Sequence, residues 1–213
     1  MIKIVKLFTI ITLDFILLFN ANNLIAQGEI KSVKIGNQIW MAENLNVDHF
    51  RNGDSIPEVQ GSVQWSKLTT GAWCYYENKT ANSKKYGKLY NWYAVNDPRG
   101  LAPEGWHIPT KAEFETLEAA VNEDGNALKE IGKGLGNGAG TNRSGFSALL
   151  EGLRYYNGAF YDLDYHTYFW SSTEYDTGNA DDLYLYHRGS RIYLDFNVKD
   201  FGFSVRCVKD STN

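Results

Sequence analysis

Nine of the 14 tyrosines in this 213-residue chain fall in one C-terminal stretch, at Tyr155, Tyr156, Tyr161, Tyr165, Tyr168, Tyr175, Tyr184, Tyr186 and Tyr193. Asn157, Asp162, Asp164, His166, His187 and Arg188 are interleaved with them. Tyrosine couples a large apolar ring to a polar tip at little entropic cost, so dense tyrosine suits a recognition surface. Rings beside Asp, Asn and Arg suit carbohydrate, whose C–H faces stack while its hydroxyls hydrogen-bond. The expected ligand-binding set is Tyr156, Asn157, Tyr161, Asp162, Asp164, Tyr184, Tyr186, Arg188 and Tyr193. The competing reading gives these rings to strand propensity and packing alone.

Other chemistry finds less support. Glycosidase action needs two carboxylates about 5–9 Å apart across a cleft. Glu174, Asp162 and Asp164 are available, although Glu174 reads as part of a structural turn. His49, His107, His166 and His187 are scattered without H-E-x-x-H spacing, so neither a zinc site nor a Ser-His-Asp triad is indicated. No catalytic residue, metal or cofactor is expected. Gly132, Gly134, Gly136, Gly138, Gly140 and Gly145 punctuate one segment, but it lacks both G-x-x-x-x-G-K-[ST] and G-x-G-x-x-G. It reads as a flexible connection.

The elements that must position these residues begin with a hairpin, Val33-Lys34-Ile35 and Gln38-Ile39-Trp40-Met41 around Gly36-Asn37. Ala72–Tyr76 reads as a strand, and Tyr86–Val95 as a buried strand or short helix. Thr110 and Glu113 form a T-x-x-E capping box, and Pro109 sharpens the start of a helix running from Lys111 to about Asn122. Its apolar stripe is Phe114, Leu117, Ala120 and Val121. A shorter helix is expected over Ala127–Ile131. In the C-terminal part, Phe169–Glu174 is strand-like, and Arg188-Gly189 reads as a two-residue turn. That turn sets Leu185 opposite Ile192 and Leu183 opposite Leu194 on one face. The other face then holds Tyr186 with Arg191, Tyr184 with Tyr193, and Asp182 with Asp195. The two aspartates would form either a cation site or, as the preferred reading, a solvated pair with Asp182 outside the strand. Phe203, Val205 and Cys207 should point inward on a last strand, with Ser204 and Arg206 outward.

The first residues read as a signal peptide, residues 1–26. Lys3 and Lys6 precede an apolar run over Leu7–Phe19, and Ala26 offers a cleavage point. An uncleaved anchor is the alternative, since Asp14 interrupts the run. Residues 27–213 suit one domain, exported to the periplasm, the cell surface or the medium. Without Lys3, Lys6 and Asp14, 19 Lys plus Arg stand against 24 Asp plus Glu, a net charge of −5. This balance argues against nucleic acid and anionic membranes as partners. Cys74 and Cys207 are the two cysteines, and in an exported protein an even count suggests a disulfide; two buried free thiols are the alternative.

Several stretches in fixed order carry a family resemblance. They are Val33–Gly36, Ile39–Leu45, Tyr86–Trp92, Gly105–Thr110, Trp170–Glu174 and Gly202–Val208. Together they resemble the Fibrobacter succinogenes major paralogous domain family over about residues 33–209. The resemblance implies an exported bacterial α+β domain with a C-type lectin-like fold, short helices packed on a small looped antiparallel sheet whose last strand returns beside the first. In such a fold a Cys74–Cys207 bridge would tie an early strand to the last. The family implies no common activity. Neither Glu-Pro-Asn nor Gln-Pro-Asp is present, so calcium-mediated sugar binding is not implied. The leading expectation is a non-enzymatic binding module whose partner is a glycan or a cell-envelope protein, without membrane insertion after signal cleavage. A structural or adhesive envelope component and a glycan-active enzyme are the alternatives.

Overall fold

A computed structural model describes residues 30–211. The expected signal segment lies outside these residues. Strands β1 (Ser32–Ile35) and β2 (Gln38–Met41) flank the Gly36-Asn37 turn, with Ile35 opposite Gln38. Gly36 takes φ +61°, and a Cβ there would lie 2.9 Å from the Ala120 Cβ, so conformation and space both require glycine.

The next segment is short pieces held by side-chain bonds. Helix α1 (Ser62–Trp65), strand β3 (Trp73–Cys74), helix α2 (Ser83–Tyr86), strand β4 (Leu89–Tyr90) and helix α3 (Trp92–Val95) follow one another. Tyr86–Val95 is thus helix end, strand and helix in succession. Asn91 makes this possible: its Oδ1 accepts from Ala94 N at 3.1 Å and Ala72 N at 2.9 Å, capping α3 and joining it to β3.

Strand β5 (Trp106–His107) leads into α4 (Lys111–Ala120), where the capping box forms in full: Glu113 N donates to Thr110 Oγ1, and Thr110 N to the Glu113 carboxylate. Such a cap contributes about 1 kcal/mol. Phe114, Leu117 and Val121 are buried, whereas Ala120 is exposed because it lies over the Gly36 turn and not the core. The second helix does not form. A 3-10 turn over Gly125–Ala127 gives way to an extended bridge between Lys129 and Ala148. The glycine segment after it is packed, contrary to the flexible connection expected. A Cβ at Gly134, Gly138 or Gly140 would meet the carbonyl oxygens of Gly138, His187 and Glu130 at 2.1, 2.3 and 2.3 Å respectively.

The remaining strands are β6 (Glu151–Arg154), β7 (Phe160–Leu163), β8 (His166–Glu174), β9 (Asn179–Tyr186), β10 (Ile192–Val198) and β11 (Val208–Lys209). Five make one sheet in the order β10-β9-β8-β6-β7, antiparallel except for the β6–β8 pair. Val208 of β11 pairs with Trp40 of β2 and with His107 of β5, closing a second sheet, β1-β2-β11-β5. The architecture is α+β and mostly β. Trp40, Phe114, Leu117, Phe146, Phe169, Leu183, Leu185, Ile192 and Val208 form the main core between α4 and the two sheets. Each such side chain contributes roughly 1.5–3 kcal/mol by leaving water.

Two expectations about the C-terminus are corrected. Ser204 and Arg206 are fully buried along with Phe203, Val205 and Cys207, because chain packs on both sides of this segment. Met41 N donates to Cys207 O and Leu45 N to Val205 O on one side, while Trp170 N donates to Ser204 O on the other. The disulfide is also absent: Cys74 and Cys207 are buried free thiols. The last strand docks on β2, which sets Cys207 beside Met41, whereas Cys74 packs in a separate cluster with Val59, Trp65 and Leu89. Burial pushes both thiols up to about 12.

Candidate functional site

The register of β9 against β10 is the one the alternation predicts: Ile192 opposite Leu185, Tyr193 opposite Tyr184, Leu194 opposite Leu183 and Asp195 opposite Asp182. The turn is wider than two residues. Strand β9 stops at Tyr186 and β10 resumes at Ile192, so the Tyr186–Arg191 ladder pair is not made. Lys129 causes this. Its buried Nζ donates to the carbonyls of Gly138, Tyr186 and Gly189 at 2.5, 2.9 and 2.8 Å, drawing the turn onto the glycine segment.

Because strand side chains alternate, one face of the five-stranded sheet carries Leu183, Leu185, Phe169 and Ile192 into the core, and the other carries the tyrosines. Tyr193 and Tyr184 stand ring to ring at 4.4 Å with planes 2° apart, and Tyr168 of β8 follows Tyr184 at 5.5 Å. Tyr186 and His166 form a second cross-strand pair at 5.0 Å. Asp195, Asp182 and Trp170 make a third row on the opposite flank. The tyrosine and His166 rings are half-buried, whereas Trp170 is fully buried. Among the described residues, no protein group hydrogen-bonds the hydroxyls of Tyr184, Tyr186 or Tyr193, while Tyr168 Oη donates to Asp162 Oδ2 at 3.3 Å.

The carboxylates of this face differ in state. Asp195 is exposed, and its Oδ1 accepts from Phe196 N at 2.9 Å. Asp182 lies within β9 and is buried, which corrects the expected solvated pair: the strand continues three residues past it, through Asp181 and Ala180 to Asn179. Asn197 Nδ2 donates to Asp182 Oδ2 at 2.7 Å, and Asp182 Oδ1 has no partner among the described residues. Burial pushes the Asp182 carboxyl up to about 7, and the nearby Asp195 and Asp181 charges add to the rise against the Asn197 hydrogen bond. Asp162 lies 3.4 Å from His166 Nδ1, but burial outweighs that attraction and lowers the imidazole's pKa.

A second aromatic group lies at the other end of the same chain of rings. Tyr156 packs on Tyr155 at 4.4 Å, Tyr161 meets Tyr155 at 5.6 Å, and Tyr155 meets Phe201 at 4.6 Å. Phe201 reaches Phe203 at 5.6 Å, and Phe203 reaches Tyr168 at 4.7 Å. Ring contacts therefore run unbroken from exposed Tyr156 and Tyr161, over a buried floor of Phe201 and Phe203, to Tyr193.

The nine expected site residues divide accordingly. Tyr184, Tyr186, Tyr193 and Asp162 share the sheet face. Tyr156 and Tyr161 belong to the second group, where Asn157 Oδ1 is taken by Ala159 N at 2.9 Å. Asp164 is ion-paired with Lys133 at 2.7 Å, and Arg188 is an exposed turn residue. Glu174 pairs with Lys199, which is itself buried over the Trp92 ring. Tyr168, His166, Asp182, Asn197 and Arg191, whose guanidinium lies 4.9 Å from the Tyr193 ring centre, complete the face. The alternation His166, Tyr168, Trp170 along β8 was the signal for two of them. Among the described residues, no group of three or more His, Cys, Asp or Glu side chains is placed to hold a metal ion.

The Fibrobacter succinogenes major domain matches residues 33–209 as a family model. The chain belongs to this family. No curated protein and no solved structure matches it. The stretches of this Fibrobacter succinogenes major domain that carry the family resemblance turn out to be its framework. Trp170 Nε1 donates to Tyr90 O and Trp92 Nε1 to Ser171 O, each at 2.9 Å. His107 sits between Asp210 at 2.6 Å and Glu113 at 2.7 Å; burial disfavours the charged ring, yet the two carboxylates raise its pKa. The tyrosines of the sheet face lie outside those stretches.

Proposed function

We propose that this domain is an exported, non-catalytic binding module that recognises a glycan or cell-envelope protein through the tyrosine face of its five-stranded sheet. The observation that carries the reading is the Tyr193–Tyr184–Tyr168 row with its neighbour Tyr186. Apolar rings are pre-ordered by mutual stacking, and the hydroxyls of Tyr184, Tyr186 and Tyr193 are left for an outside partner. The ordering entropy is met during folding, so little is lost on binding. A non-catalytic role is supported by the ion pairs of Glu174 and Asp164, which occupy two of the three carboxylates available for glycosidase chemistry. Kinship with C-type lectin-like folds is part of the same reading, supported by the pairing of the last strand with the first hairpin.

The test is binding of the purified protein to a glycan array, with calcium and with chelator, repeated with Tyr184→Ala and Tyr193→Ala. Calcium-independent binding that falls at least about tenfold in either variant, with the fold retained, is the expected result. Binding that survives both substitutions would move recognition off this face. Capture of an envelope protein by the same face, with no glycan bound, would assign the partner as protein.

A further inference from the structure

Asp48, His49 and Ser55 form a constellation that the scattered histidine positions do not predict. His49 and Ser55 stand opposite one another in an antiparallel bridge, flanked by Phe50 N donating to Asp54 O and Ile56 N to Asp48 O, each at 2.8 Å. Flanking bonds in that pattern make the central pair the narrow, non-hydrogen-bonded kind, whose side chains come closest together. His49 Nε2 lies 3.1 Å from Ser55 Oγ, and His49 Nδ1 lies 2.7 Å from Asp48 Oδ1. Phe50 and Ile56, the next residues in the chain, are buried and anchor the loop, while His49 and Ser55 stay exposed. The order of these bonds sets the tautomer. A carboxylate only accepts, so Nδ1 carries its proton toward Asp48, and the neutral ring offers the Nε2 lone pair to the Ser55 hydroxyl. The His49 hydrogen bond holds the Asp48 carboxyl below its usual range, which keeps it ionised for this role.

We propose that Ser55 is an activated nucleophile that takes up an acyl group from an activated carboxylic ester, with His49 as its base and Asp48 positioning the ring. This site is separate from the tyrosine face and does not depend on it. Ser55 Oγ bonds to the ester carbonyl carbon while His49 Nε2 takes the hydroxyl proton. The acyl–oxygen bond of the ester then breaks, and the proton leaves with the departing alcohol. The side chains of His49 and Asp48 are 56% and 58% exposed, so water has free access and activation rests on the base, worth roughly 10²–10⁴-fold. That is why the donor must be an activated ester, one whose leaving group is better than the serine alkoxide. The acyl-serine formed is an ordinary alkyl ester without that advantage, so transfer stops there. A single covalent attachment is compatible with a non-catalytic module.

The experiment treats the purified protein with 4-nitrophenyl acetate and follows acetylation residue by residue in peptide mass spectra. Ser55 is expected to be acetylated at least about 100-fold faster than the chain's other serines. Ser55→Ala should abolish acetylation at that position, and His49→Gln should slow it by about 100-fold. Asp48→Asn should slow it by about tenfold, with part of the rate recovered in Asp48→Glu, because Asp48 acts through the orientation of His49. All four changes replace exposed side chains, so the urea midpoint should stay where it is. Acetylation of Ser55 no faster than that of other serines, or a rate that His49→Gln leaves unchanged, would overturn the proposal. A fluorophosphonate, which bonds to a nucleophilic serine with loss of fluoride, gives an independent reading, and a chain left without an adduct on Ser55 would also overturn it. Continued release of nitrophenol over many equivalents, lost in Ser55→Ala, would keep the nucleophile and overturn its limit to one transfer.

Discussion

Asn44 and Arg206, 162 positions apart, meet in the interior of the domain, where Asn44 Oδ1 accepts from Arg206 Nε at 3.1 Å and from Nη2 at 2.5 Å. Asn44 Nδ2 donates in turn to Glu151 Oε1 at 2.7 Å, so the amide relays between a buried cation and a buried carboxylate. Arg206 Nη1 donates to the carbonyls of Met41 and Phe146, and its guanidinium lies 4.4 Å from the Phe146 ring centre. Burial pulls the arginine down to about 10, which still leaves it charged at neutral pH. Arg206→Leu strips donors from Asn44, Met41 and Phe146 and isolates the Glu151 charge. The expected loss is about 3–5 kcal/mol, read as a lower urea midpoint. Arg206→Lys keeps the charge without the planar fork and should fall between the two. An unchanged midpoint for Arg206→Leu would remove the network from the list of stabilising features.

Lys129 offers a more local test. Its ammonium serves three backbone carbonyls, at Gly138, Tyr186 and Gly189, of which that of Tyr186 also accepts from Gly189 N within the turn. Lys129→Met keeps the aliphatic stem and removes all three donors, for an expected cost of about 2–4 kcal/mol. The glycine segment and the β9–β10 turn should then separate first. Limited proteolysis would show new cleavage between residues 132 and 140 in the variant, whereas a merely surface lysine would leave the cleavage pattern as it was.

Much of the fold could be read from the sequence where local rules suffice. The Gly36-Asn37 hairpin, the Thr110–Glu113 box and the β9–β10 register all rest on residues within one turn or one strand pair. The faces of the candidate site were legible for the same reason: a period of two assigns Tyr184, Tyr193, Asp182 and Asp195 to one side without any tertiary information. Depth was not legible. Hydropathy places Arg206, Lys129, Glu151 and Asp182 outside, and each is buried because its partners arrive from elsewhere in the chain, as far as 165 residues away for Arg206 and Met41. The cysteine pairing failed on topology: a count of two allows a bridge, but the choice of β2 as partner for the last strand decides against it.

The thiols give a direct check of that topology. Cys74 and Cys207 should each take one equivalent of an alkylating reagent in denaturant without prior reduction, and neither should react in the folded protein. Reductant should leave the melting temperature unchanged. A mass two hydrogen atoms lighter that gains them on reduction, together with a lower melting temperature in reductant, would restore the bridge.

Asp182 predicts an unusual pH dependence of stability. Its carboxyl titrates near 3.8 when unfolded and about 7 when folded, because burial outweighs the Asn197 hydrogen bond. Between those values the folded chain holds a proton that the unfolded chain has released, so this group's contribution falls as pH rises. Its stabilisation is fully present below about pH 4 and lost by about pH 7. About three pKa units correspond to at most about 4 kcal/mol, and water reaching the site would reduce that. Carboxylates whose pKa is lowered, such as Asp97 beside Arg99 and Asp176 beside Asn179, act in the opposite sense at lower pH. The informative quantity is therefore the difference between wild type and Asp182→Asn. The asparagine retains an acceptor for Asn197 and carries no charge at any pH. Urea unfolding from pH 4 to 8 should show the variant gaining on wild type steadily, by about 2–4 kcal/mol at the upper end. A difference that stays flat across this range would mean that Asp182 is ionised in the folded protein throughout, with water or a cation supplying the partner its free oxygen lacks.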